Sequence, residues 1–104
     1  MDNAIKQSPP SLRELRERRE SILRLAHHHG ARDVRIFGSV AREDAEQGSD
    51  IDFLVTMEPG RSLFDLGGLL MDLSDLLGGP VDVVTESSLS ARVRARVLLE
   101  SVPL

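Results

Sequence analysis

The stretch Phe37–Asp52, FGSVAREDAEQGSDID, decides how this chain folds. It opens where Val34-Arg35-Ile36-Phe37 runs into Gly38-Ser39. It closes where Asp50, Asp52 and Leu54 begin to alternate with Ile51, Phe53 and Val55. A β-branched and aromatic run ending in Gly reads as a strand and its turn, and the period-two alternation reads as a second strand. Between them, Val40 to Ala45 fits a short helix and Gly48-Ser49 a turn.

Side chains two residues apart on a strand leave the same face, ~7 Å apart along the chain. Asp50 and Asp52 are so placed, with Ile51 turned to the other face. Two such carboxylates repel one another unless a cation sits between them, and a hard divalent ion such as Mg²⁺ suits oxygen ligands. Asp82 is a third candidate. It interrupts Val81-Asp82-Val83-Val84, a third apolar run, and joins the pair if that strand lies beside the second in register. Three carboxylates can hold one or two metal ions, and a two-ion site can activate an attacking oxygen and stabilise a leaving one. The competing readings are a solvated Asp-x-Asp pair and an Asp82 that merely keeps an edge strand soluble.

Gly38-Ser39 supplies an anion-binding turn. A Gly after a strand lets the backbone approach a ligand closely, and N–H groups at a turn opening a helix attract anions. The Ser39 hydroxyl adds a donor, and Arg42 lies one helical turn on as a charged donor to phosphate. Ser39 as a simple helix cap and Arg42 as a solvated residue remain open alternatives.

Working outward, Ser11 with Glu14 three residues on forms a capping-box pattern. Leu12, Leu15, Ile22 and Ala26, with Leu23 and Leu25 beside them, extend one helix over 11–29 that stops at Gly30. Leu63, Leu66, Leu70, Leu73 and Leu77 form the apolar stripe of a helix over 63–77, with Asp65, Asp72 and Asp75 opposite, ended by Gly78-Gly79-Pro80. A last helix runs from a cap at Ser87 or Ser88 to about Glu100. The order predicts an α/β (α+β) fold: a small mixed sheet of about three strands flanked by helices. Residues 1–10 are expected to be flexible and 11–104 to form one domain. His27-His28-His29 cannot converge on one ion within a helix, because successive positions point about 100° apart. Arg92, Arg94 and Arg96 read as a solvated face, with a partner-facing strip as the alternative.

Composition narrows the function. The chain has 104 residues, 13 Lys plus Arg against 17 Asp plus Glu, no Cys, no Trp and no Tyr. Disulfides, thiolate metal sites and Cys nucleophiles are excluded. A net acidic chain with three Phe as its aromatics argues against direct nucleic-acid binding. There is no membrane-spanning run and no apolar signal core, so a cytoplasmic protein is expected.

The segments FGSVAR, GSDIDFLV and VDVV, with EPGRSLFDLGGLLMDLSDLLGGPVDVVTESSL, resemble the minimal nucleotidyltransferases of the DNA polymerase β-like superfamily, from about the first helix to ESVPL. The chain departs from the family pattern at Glu43, where many relatives carry Gly. The resemblance implies transfer of AMP from ATP, with two Mg²⁺ ions, to a hydroxyl, and release of pyrophosphate. Carried over by position, Gly38 and Ser39, with Arg42, contact the nucleotide phosphates. Asp50, Asp52 and Asp82 are the metal-binding and catalytic carboxylates. Family members of this size imply a partner: a HEPN-domain ribonuclease toxin, adenylylated on tyrosine and so neutralised. Neutralisation by steric occlusion, a small-molecule nucleotidyltransferase and a homo-oligomer contact are the alternatives to be set against it.

Overall fold

The computed structural model describes residues 9–104. Most of the expected flexible segment 1–10 therefore lies outside the described residues. Pro9 and Pro10 lead into Ser11, which caps α1 (Leu12–Glu17) by the expected reciprocal pair. Glu14 N–H donates to Ser11 Oγ at 3.1 Å, and Ser11 N–H donates to Glu14 Oε1 at 2.8 Å. The single helix expected over 11–29 is instead two, the second being α2 (Arg19–His28). The break falls at Arg18, whose N–H reaches the Leu15 carbonyl at 3.0 Å, a three-residue bond tighter than the α-helical one. The run RERRES between Leu15 and Ile22 has no apolar residue to hold a continuous helix on the core.

β1 (Ala31–Phe37) leads directly into α3 (Gly38–Arg42), and β2 (Ile51–Met57) follows. α4 (Leu63–Leu77) has the predicted bounds. Its Asp65 is more than a solvated residue. Ser62 N–H donates to Asp65 Oδ2 at 2.9 Å and Phe64 N–H donates to Ser62 Oγ at 3.2 Å, a second capping box. Asp72 also departs from the solvated reading: it meets His29 Nε2 at 2.7 Å and ties the end of α2 to α4. β3 (Val81–Thr85), a 3₁₀ turn (Glu86–Ser88), α5 (Ala91–Glu100) and β4 (Val102–Pro103) complete the described chain. The last helix is capped by Ser90, whose Oγ accepts from Val93 N–H, rather than by Ser87 or Ser88.

The sheet order is β3-β2-β1-β4. β1 is antiparallel to β2 and β4, and β2 is parallel to β3. The sheet is mixed and helix-flanked as expected, with four strands among the described residues rather than about three. The extra strand escapes a pattern search because it has two residues, one of them Pro; Pro lacks an N–H and is tolerated at a sheet edge. Alternation then sorts each strand. Val34, Ile36, Ile51, Phe53, Val55 and Val83 face one way and are buried against Leu15, Ile22, Ala26, Leu69 and Leu73 of the helices. The intervening residues, including Asp52 and Asp82, face the other way.

Glu43 ends α3 in the left-handed region at φ 63°, among the described residues the one non-Gly residue with positive φ. This is the position where the chain departs from the family pattern, and the departure has a backbone consequence. A side chain there crowds its own carbonyl, at a penalty of about 1 kcal/mol that Gly avoids. Glu43→Gly is therefore expected to raise the melting temperature by a few degrees. A melting curve unchanged or shifted downward would show that Glu43 makes a compensating contact.

Candidate active site

Register in the sheet assembles the site. Phe37 pairs with Asp52, and Asp52 pairs with Asp82, so three neighbouring strands present these residues side by side on the face opposite the core. The apolar partners fix this register: Ile51 with Val81, Ile36 and Val83 with Phe53, Val34 with Val55. A one-residue slip would turn Asp52 into the core and Phe53 out of it. Asp50 lies two residues ahead, just before β2, and is exposed, as is Asp82. Asp52 is half-buried.

Gly38 stands directly over the Asp52 carboxylate. Its φ is 73°, and a Cβ there would collide with Asp52 Oδ2. Both the backbone conformation and the space require Gly. Ser39, next in α3, is partly buried, and its hydroxyl has no hydrogen-bond partner among the described residues. The Gly38 N–H and two of the three Arg42 guanidinium nitrogens are already engaged. Gly38 N–H donates to Glu100 Oε1 at 2.8 Å. Arg42 Nη1 donates to Glu100 Oε2 at 3.1 Å, and its Nε donates to Asp44 Oδ2 at 3.2 Å. Hydrogen bonds to Asp44 and then Glu100 hold the Arg42 guanidinium above its ordinary pKa.

The predicted residues thus come together at one sheet end, although among the described residues no three or more His, Asp or Glu side chains are arranged as a ready metal-binding group. Sequence reasoning missed Glu100. The signal was there: Glu100 is the one acid in ARVRARVLLE and ends that helix, where the dipole disfavours a negative charge. A lone carboxylate at that end calls for a partner. His27 to His29, by contrast, play no part in the site; His29 is used structurally on Asp72.

The electrostatics carry a strain. Burial, and then the charges of Asp82, Asp50 and Glu100, push the Asp52 pKa from 3.8 up to about 6, with Arg42 opposing. The folded chain therefore holds this proton more tightly than the unfolded one. The stability that protonated Asp52 lends is complete below pH 3.8 and lost as pH rises through about 6. Ionised Asp52 is a net burden at pH 8, on the order of 1–2 kcal/mol after screening by solvent. Asp52→Asn is expected to melt several degrees above wild type at pH 8, with the gap closing toward pH 4. Melting curves across that range check it; a gap independent of pH would contradict the origin assigned to it.

Residues 12–104 match the family model described as a nucleotidyltransferase domain. Protein adenylyltransferase MntA of Thermococcus cleftensis is 40% identical over 88 residues, covering 80% of this chain and 89% of that protein. A solved structure described, provisionally, as a minimal nucleotidyltransferase superposes with a TM-score of 0.82 at 49% identity, covering 91% of this chain and 97% of that one. A toxin–antitoxin crystal structure with AMP-PNP shares the fold at a TM-score of 0.70 and 22% identity, covering 81% of this chain and 69% of that one. A sheet end that carries charge at the expense of stability is what a catalytic domain keeps, and the chain belongs to the nucleotidyltransferase domain family as an enzyme of its minimal type.

Proposed function

We propose that this nucleotidyltransferase transfers AMP from ATP to a hydroxyl, a tyrosine's, on a cognate HEPN-type toxin and so acts as its antitoxin. The observation that carries the chemistry is the side-by-side register of Asp52 and Asp82 beside a Gly38 that has no room for a side chain. The partner is supported by what the relatives are: a protein adenylyltransferase at 40% identity and, for the fold, a toxin–antitoxin complex with AMP-PNP. It is also supported by apolar side chains that the described residues leave uncovered: Leu63, Phe64 and Met71 on α4 and Leu99 on α5.

The donor set suits magnesium. Asp50, Asp52 and Asp82 offer hard oxygen ligands, and their mutual repulsion is relieved by a cation. Asp50 and Asp82 are exposed and free to turn toward Asp52. Two Mg²⁺ ions, held by these three carboxylates, would supply neutralisation of the phosphate charge and of the charge developing on the entering and leaving oxygens. Gly38 N–H, the Ser39 hydroxyl and Arg42 would hold the triphosphate by charge-assisted hydrogen bonds. Asp82, at the open edge of the group, would accept the proton of the acceptor hydroxyl as its oxygen bonds to the α-phosphorus. The bond from the α-phosphorus to the bridging oxygen breaks, and pyrophosphate leaves with that electron pair. Positioning and charge account for most of the catalysis in such transfers. No helix among the described residues is long and apolar enough to cross a membrane, and the proposed setting is the cytoplasm, where ATP and Mg²⁺ are plentiful.

The exposed apolar surface also suits a second reading, neutralisation by occlusion alone. Incubation of the full chain with the toxin, Mg²⁺ and ATP labelled at the α-phosphate separates the two. Wild type is expected to label the toxin and raise its intact mass by one AMP or more. The double variant Asp50→Asn/Asp52→Asn is expected to lose on the order of 10³-fold in rate. Equal labelling by wild type and variant would remove the residue assignment. A variant that transfers nothing but still neutralises the toxin at unchanged affinity would favour occlusion.

A further inference from the structure

Glu100 is a carboxylate at the end of a basic helix, and both of its oxygens are spent on the donors assigned above to phosphate. Oε1 accepts from Gly38 N–H at 2.8 Å and Oε2 accepts from Arg42 Nη1 at 3.1 Å. Two oxygens of one anionic group on one backbone N–H and one guanidinium reproduce what two phosphate oxygens would do there. The side chain is largely sheltered, at 24% exposure. Its backbone is pinned from the C-terminal side. Arg35 Nε donates to Ser101 Oγ at 2.8 Å and Arg35 Nη2 to the Ser101 carbonyl at 3.1 Å, while Leu104 N–H donates to the Val34 carbonyl at 3.2 Å. Glu100 is thus delivered to the cradle by the sheet itself.

We propose that Glu100 is a built-in competitor for the phosphate cradle: it fills the Gly38 and Arg42 donors in the free chain and must swing away for a polyphosphate to bind. This rests on the reading that the triphosphate lies on Gly38, Ser39 and Arg42. Glu100 then sets what the site accepts. A ligand gains the two donors only by breaking two charge-assisted bonds, and it leaves a carboxylate beside its own negative charge. A polyphosphate, with several anionic oxygens, can meet that demand; a nucleoside without phosphate has no anionic oxygen to offer these donors. Affinity for phosphate-bearing ligands is reduced by the fraction of chains in which the donors are free.

Glu100→Gln is the direct test, because Gln can still accept from Gly38 N–H but carries no charge for Arg42. Calorimetry with ATP, inorganic tripolyphosphate and adenosine, each with Mg²⁺, gives three arms. The variant is expected to bind ATP and tripolyphosphate about fivefold to tenfold more tightly than wild type, with adenosine unchanged. A purely structural role would weaken all three or none. In the wild-type chain, which avoids any folding defect of the variant, the side-chain carboxyl ¹³C resonance of Glu100 is expected to shift on titration with tripolyphosphate and to saturate together with the Gly38 amide. Binding of tripolyphosphate by the variant no tighter than by wild type would overturn the role of Glu100, and so would a Glu100 resonance that stays still while the Gly38 amide saturates. In both cases binding by wild type leaves the nucleotidyltransferase site intact. If neither protein binds ATP or tripolyphosphate, the site assignment itself falls, and the competitor with it.

Discussion

A parallel pair of strands forces two carboxylates together, and the rest of the site follows from that constraint. Asp52 and Asp82 are Cα partners on β2 and β3, strands ~4.8 Å apart. Their own like charges oppose this. The opposite face imposes it: Ile51, Phe53, Val81 and Val83 meet in the same register, and Phe53 is fully buried. Side chains alternate, so burying one set fixes the other set without choice. The apolar core therefore supplies the free energy that holds two like charges side by side. Asp82 is the one acid in the run Val81-Asp82-Val83-Val84, exposed on the edge strand β3; in the proposed mechanism it stands there for what it binds.

The second half of the site is set by a missing atom. Gly38 has no Cβ, and where that Cβ would lie the Asp52 carboxylate already stands. The turn and the Asp52 carboxylate are consequently brought to near contact, with donors on one side and acceptors on the other. A molecule that is both anionic and metal-binding, as a nucleoside triphosphate is, satisfies both sides at once. Glu100 accepts from the donors, while burial and the neighbouring acids raise the Asp52 pKa.

Much of this was legible in the sequence, for identifiable reasons. The Gly-Ser turn, the Asp-x-Asp strand and the Asp within a valine run each leave a local signature, because the strand period and the turn chemistry act over a few residues. The helix at Leu63–Leu77 and the capping box at Ser11 were legible for the same reason. What escaped depends on distant partners. The break at Arg18 arises where no apolar residue ties a helical turn to the core. β4 is too short to show alternation, and the roles of Asp72 and Glu100 are defined by His29 and Gly38, residues 43 and 62 positions away. Glu100 shows how such a residue is recognised in advance: its charge is unfavourable where local rules place it, so a tertiary partner must account for it.

That long reach has a consequence for how the site holds together. Gly38 comes from the start of α3, directly after β1, Asp52 from the start of β2, Asp82 from the start of β3 and Glu100 from the end of α5. Each contributing end is fixed by a different apolar or hydrogen-bonded anchor: Ile36 for Gly38, Phe53 for Asp52, Val83 for Asp82, and the Arg35–Ser101 bonds for Glu100. No single local segment can form the whole of the chemistry. The loss of one anchor, such as fraying of the short edge strand at Val102–Pro103, removes one group and leaves the other three in place. Because Arg35 pairs with Pro103 and stands two residues before Phe37, whose partner is Asp52, the chain's last residues and its acidic cluster share one strand. The C-terminal edge strand is therefore hydrogen-bonded to the strand that runs directly into Gly38.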